Sequence, residues 1–319
     1  MPAASLQALL AQSIDYAGMF PPCNLGLEPA LRNQAEYVHS PEAWMLSTFV
    51  LSVDQFEAAA AKVALFDWRH ELFDWKHGLR ISALGAKSGN ADEFIDALKI
   101  AADKIRSFSA QHADLVSINQ LEMPLPVRAG LGLDVNPKLL AKIAPIMDAL
   151  DVQMFLEAPP SFAEETIALL TERNSGTSER PFAYKLRTGG VTADAIPTSR
   201  QIARVLVTAA KAGIPVKFTA GLHHPIRQFR VEVETKMHGF LNVLGAAVMA
   251  AEHDWNEQQT LKILDDENAT SFSFLDGWFA WQEWKVMTDR IKERRKFVTS
   301  FGTCSFDEPR EDLRALNFL

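Results

Sequence analysis

Cysteine is almost missing from this chain: Cys23 and Cys304 stand far apart, with no CxxC or Cys/His spacing around either. Neither a disulfide framework nor a structural zinc site is expected, and two free thiols fit a reducing compartment. Long apolar runs are missing too. The longest, residues 243–251, is far short of the roughly 20 residues that a bilayer-spanning helix needs. Residues 1–20 contain Asp15 and no basic n-region, so no secretory signal is read and a cytoplasmic location is expected. Positive charge is not in excess. A net charge of -8 argues against broad contact with nucleic acid or an anionic membrane, while leaving room for a local cationic pocket. No Pro-, Gly- or Ser-rich stretch marks a linker, and no solenoid repeat is present. The P-loop, GxGxxG, HExxH and GxSxG patterns are absent, which weakens kinase, Rossmann dehydrogenase, metalloprotease and serine-hydrolase readings.

What is present is a rhythm. Strand-like segments occur at 43–51, 79–86, 114–121, 152–157, 181–190, 214–219, 271–275 and 297–306. Helical patterns occur at 91–112, 137–150, 161–173, 199–212, 232–252 and 257–264, and a Trp-rich helix runs on to 296. Ser161 and Glu164 have capping-box spacing at the start of one of these helices. Eight strands alternating with helices predict a closed (β/α)8 barrel as a single domain over 1–319, with residues 1–42 as an N-terminal extension covering one end. An open doubly wound sheet is the alternative. Trp278, Trp281 and Trp284 fall on one face of the proposed helix, as core or as a subunit interface compatible with a homo-oligomer. A near-identical tandem heptad, Phe66-Asp-Trp-Arg-His-Glu-Leu72 and Phe73-Asp-Trp-Lys-His-Gly-Leu79, reads as a duplicated pair of helical turns.

In a parallel barrel the active site forms where the strands end, so the polar residues closing each strand are the candidates. Two segments stand out, Pro181-Phe-Ala-Tyr-Lys-Leu-Arg-Thr-Gly-Gly190 and Ile214-Pro-Val-Lys-Phe-Thr-Ala-Gly-Leu-His-His-Pro225. Side chains alternate along a strand, so Lys185 and Arg187 share one face, Lys217 and Thr219 share the matching face of the neighbouring strand, and the three cations point one way. Arg187 offers a planar fork for a carboxylate or phosphate, and Thr188-Gly189-Gly190 can turn backbone amides toward the same anion. Glu122 and Glu157 end two further strands as candidates for proton transfer or for ion pairs with the lysines. His223 and His224, held before Pro225, place an imidazole at the mouth for acid/base work or hydrogen bonding. Thr303 and Ser305 lie near the last strand as phosphate or substrate contacts, and Cys304, of opposite parity, reads as packing. The segment from Asp15 to Pro22 reads as a plug or a lid.

Lys217 sits in Val216-Lys217-Phe218-Thr219, an apolar setting that favours the neutral, nucleophilic form of an amine. A lysine at the end of a sixth barrel strand resembles the class I aldolases and related Schiff-base lyases. The resemblance implies an enzyme acting on a small anionic carbonyl compound, such as a sugar acid, oxo acid or sugar phosphate, without a bound cofactor. Lys217 would be the nucleophile, with Lys185, Arg187, Thr219, His224, Thr303 and Ser305 toward substrate and Glu157, Glu122 or His223 moving protons. Two other readings stay open: a divalent-metal lyase or isomerase using Glu122, Glu157 and His223, and a barrel that binds a ligand without converting it.

Overall fold

A computed structural model describes residues 2–65, 78–128, 132–175 and 181–319. Eight parallel strands close into a barrel: β1 (Ile14–Tyr16), β2 (Leu46–Ser52), β3 (Leu79–Leu84), β4 (Val116–Pro124), β5 (Gln153–Glu157), β6 (Ala183–Arg187), β7 (Val216–Thr219) and β8 (Val298–Thr303). Each pairs with its neighbour in sequence, and β1 closes the ring against β8 through Ile14 with Phe301 and Tyr16 with Thr303. A helix follows every strand, from Leu27–Val38 after β1 to Asp307–Ala315 after β8. The protein is a TIM-type (β/α)8 barrel.

The alternation of side chains explains the two layers of core. On β6 and β7, Tyr184, Leu186, Val216 and Phe218 point out to the helices and are at most 2% exposed, while Lys185 and Lys217 point into the barrel. Burying each large apolar side chain contributes about 1.5–3 kcal/mol, which holds the helical ring to the sheet. The helix Ser199–Ala212 between them has its own stop signals: a capping box of Thr198 and Gln201 at the start, and Gly213 in the left-handed region at the end.

Five expectations are corrected. Residues 1–42 are not simply an extension, because they hold β1 and the helix that follows it. The segment Phe272–Phe274 is not a barrel strand; it joins Trp278–Trp281 and Trp284–Met287 in a three-stranded antiparallel sheet outside the barrel. The tryptophan spacing is therefore that of a hairpin: Trp281 and Trp284 face each other across a two-residue turn, and both rings pack on Trp255. Between β7 and its helix Phe240–His253, a short hairpin of Gln228–Arg230 and Thr235–Met237 takes the place of continuous helix. Ser161 does not cap the helix Ala163–Asn174, since a 3-10 turn over Pro160–Phe162 shifts the start to a Phe162 cap with no side-chain hydrogen bond. The tandem heptad lies outside the described residues, apart from Gly78 and Leu79.

Candidate active site

A cavity of about 300 Å³ opens at the C-terminal end of the barrel. Six strand-final residues line it: Leu84, Pro124, Glu157, Arg187, Thr219 and Thr303. That placement follows from parallel closure, which brings every strand's carboxyl end to one rim.

Down the barrel axis the charged groups alternate in sign. At the rim Arg187 Nη1 stands 3.7 Å from Glu157 Oε1. Glu157 Oε2 is 2.7 Å from Lys185 Nζ, and Lys185 Nζ is 2.6 Å from Glu122 Oε2. The other Glu122 oxygen takes a hydrogen bond of 2.5 Å from Lys217 Nζ, whose nitrogen also lies 3.1 Å from Asp15 Oδ2. Three cations and three carboxylates thus form one chain from rim to floor. Burial makes it indispensable: Lys185, Lys217, Glu122 and Asp15 are each 3% exposed or less, where an unpaired charge is expensive.

Lys217 Nζ donates to three acceptors, Glu122 Oε1, Gln120 Oε1 at 2.6 Å and Ser82 Oγ at 3.0 Å. Ser82 passes its own proton on to Glu122 Oε1 at 2.5 Å. The three N–H groups of Lys217 are thus spent on the barrel floor. Lys185 differs, for Glu122 and Glu157 are its two partners among the described residues, which leaves one position on its nitrogen without a protein acceptor. Asp15 is oriented by Thr48, whose amide and hydroxyl both donate to Oδ1, at 3.2 and 2.5 Å; among the described residues no hydrogen bond is donated to Oδ2, which faces the Lys217 ammonium as its ion-pair partner.

Electrostatics follow this geometry. Burial by itself would raise the Glu122 carboxyl, but the Lys185 and Lys217 ammoniums outweigh it and hold the group well below the usual carboxylate range. Burial would likewise lower Lys185, yet the Glu122 and Glu157 carboxylates overcome it and push its amine upward.

The remaining candidates divide. Thr219, Thr303 and His223 line the cavity with Arg187. His223 Nδ1 lies 3.1 Å from Thr303 Oγ1 and 3.2 Å from Glu308 Oε2, and that contact holds Glu308 below its ordinary range. His224 turns away, with Nδ1 2.6 Å from Asp312 Oδ2 on the last helix. Ser305 also does structural work, accepting the Glu308 amide at 3.2 Å on its hydroxyl. Thr188 donates to the Ala220 carbonyl at 2.6 Å, which ties the loops after β6 and β7 together. Those loops touch backbone to backbone: a Cβ on Gly221, which sits at φ +80°, would meet the Gly189 Cα at 2.7 Å.

Asp15, Ser82, Gln120 and Thr48 were missed as site residues. Ser82 carried a usable signal, a lone small polar residue in the apolar run of β3. Asp15 carried a weaker one, an acid between Ile14 and Tyr16 in a segment only three residues long. Among the described residues, no three His, Cys, Asp or Glu side chains are placed to hold a metal ion. The Glu122, Glu157 and His223 set is not arranged as ligands: Lys185 Nζ occupies the position between the two carboxylates, and His223 contacts Glu308.

No protein-family model and no curated protein matches the chain. Among solved structures, deoxyribose phosphate aldolase from Aeropyrum pernix, described as a unique tetramer, aligns with a TM-score of 0.43 at 14% identity, over 70% of this chain and 85% of its own. D-psicose 3-epimerase, determined in the presence of D-fructose, aligns with a TM-score of 0.46 at 10% identity, over 96% of this chain and 98% of its own. The likeness is one of fold. No described helix is long and apolar enough to cross a membrane.

Proposed function

We propose that the barrel is a lyase of the aldolase type, which binds a small carbonyl compound with an anionic end and forms a Schiff base with it. The carrying observation is Lys185, a buried lysine at the cavity with two carboxylates on its nitrogen and one position left open. Counting Ile14–Tyr16 as β1 makes Val216–Thr219 the seventh strand and puts Lys185, not Lys217, on the sixth, the strand to which the resemblance assigns the nucleophile. Lys217, its N–H groups committed below, serves as the neighbouring cation.

The residues divide the work as follows. Glu157 takes a proton from Lys185, the freed amine pair adds to the substrate carbonyl carbon, and a proton of the added nitrogen passes to the carbonyl oxygen. Glu157 returns its proton as that hydroxyl leaves as water, and the protonated imine left behind accepts the electron pair of a breaking carbon-carbon or carbon-hydrogen bond. Glu157 or His223 receives the proton released from the substrate. Arg187, half exposed at the rim, pairs with the substrate's anionic end beside the backbone of Gly190 and Gly221.

The test is reductive trapping. The protein is incubated with small oxo acids, sugar phosphates and aldehydes in the presence of borohydride, and the adduct is mapped by peptide mass spectrometry. Adduct on Lys185, lost in Lys185→Met, supports the reading. Adduct on Lys217 moves the nucleophile there, and binding of a panel member without trapping or turnover makes the barrel a ligand-binding protein.

A further inference from the structure

The two cysteines lie 281 positions apart in sequence (304 minus 23), yet they meet beside the cavity. Cys23 closes the loop after β1, directly behind Pro21 and Pro22, which line the cavity with Phe20. Cys304 follows the last residue of β8 and lines it from the other side. Cys23 neighbours the Cys304 thiol with both its thiol and its backbone. The adjoining backbone holds this approach, through Ala17 N to Thr303 O at 2.8 Å and Leu25 N to Gly18 O at 2.9 Å.

We propose that Cys23 and Cys304 form a reversible disulfide under peroxide, a modification site that pins the Phe20–Pro22 loop to the end of β8 beside the cavity. The order of events follows from exposure. Cys23 is exposed and Cys304 is buried, so peroxide meets Cys23 first and oxidises its sulfur to a sulfenic acid, with release of one water. The Cys304 sulfur then displaces hydroxide from the Cys23 sulfur. The thiol proton leaves with that hydroxide as a second water, so peroxide is the oxidant and both thiols are oxidised. Burial chiefly, with help from Cys23, pushes the Cys304 thiol up to about 12, so Cys304 is a poor first target and a resolving partner instead.

The experiment treats the full-length protein with hydrogen peroxide, alkylates it with N-ethylmaleimide after denaturation, and maps unreduced peptides by mass spectrometry. The expected result is a Cys23–Cys304 cross-linked peptide, loss of both alkylation sites, and their return after dithiothreitol. Cys23→Ser, an exposed and conservative change, should abolish the cross-link and leave Cys304 alkylatable, which keeps the test valid if a Cys304 variant fails to fold. Cys23 overoxidised to sulfinic acid with Cys304 still alkylatable overturns the proposal, as does a Cys23–Cys23 cross-link between two chains. This mapping does not depend on the Schiff-base reading. Slower borohydride trapping in the oxidised protein rests on that reading as well, so failure of trapping alone and failure of the cross-link are distinguishable.

Discussion

Lys185 and Lys217 are direct register partners on adjacent strands, and they hold opposite oxygens of one buried carboxylate, Glu122. The arrangement keeps two like charges side by side without repulsion dominating, since each has a second carboxylate of its own, Glu157 for Lys185 and Asp15 for Lys217. It also separates their roles: one nitrogen is closed off by three hydrogen bonds and the other keeps an open position.

Exchange of each lysine for methionine should separate these roles. Lys185→Met is expected to lose the borohydride adduct entirely, with an unchanged far-UV spectrum. Lys217→Met is expected to retain the adduct on Lys185 but form it about tenfold more slowly, because the neighbouring cation that favours the neutral Lys185 amine is gone and one pKa unit changes the neutral fraction tenfold. Intact mass against time reads both.

Glu122 should matter more to stability than either lysine. Glu122→Gln leaves two buried ammoniums short of a carboxylate, with an expected loss of about 3–5 kcal/mol by urea unfolding. Adding Lys185→Met removes one of those stranded charges, so the double variant should be more stable than the sum of the two single losses predicts.

Stability should plateau across a wide pH range. The folded value of Glu122 is depressed, so its contribution is complete above the unfolded value of 4.5 and is lost as pH falls through the folded value. Lys185 is raised, so its contribution is complete below 10.5 and is lost as pH rises through its folded value. Adduct formation needs the neutral Lys185 amine and is expected to speed up toward alkaline pH. In Glu122→Gln the carboxylate that lifts Lys185 is gone, so the alkaline limb should move to lower pH. Trapping rates and urea midpoints over the same pH series measure both effects.

Chelation should change nothing. Because the Lys185 ammonium fills the space between the Glu122 and Glu157 carboxylates, overnight EDTA treatment is expected to leave the trapping rate and the thermal midpoint as they were. Loss of activity restored by a single divalent ion would put the metal-dependent lyase ahead of the Schiff-base reading.

Much of this centre is legible in the chain. Alternation along Ala183–Arg187 and Val216–Thr219 puts Lys185 and Lys217 on one side and the aromatic and aliphatic residues on the other, because a strand's two faces are set by local geometry alone. The same local rule breaks on β4. There the register with β3 slips by one residue between Ile118 and Gln120, a bulge that re-aims Gln120 and Glu122 and that no alternation pattern announces. His223 and His224 sit in a loop, where parity has no meaning, and their partners Glu308 and Asp312 on the last helix decide which one reaches the cavity.

The barrel class, the helix and strand rhythm and the cationic strand ends were determined by the sequence itself, through side-chain period and turn residues acting over a few positions. Tertiary structure alone decided which segment closes the ring. Ile14–Tyr16 is too short to show a period of its own and becomes a strand because Val298–Thr303 and Leu46–Ser52 supply its hydrogen bonds from both sides. That closure renumbers the strands, brings Asp15 under Lys217 and sets Cys23 against Cys304, contacts made by residues too distant in the chain for any local pattern to join.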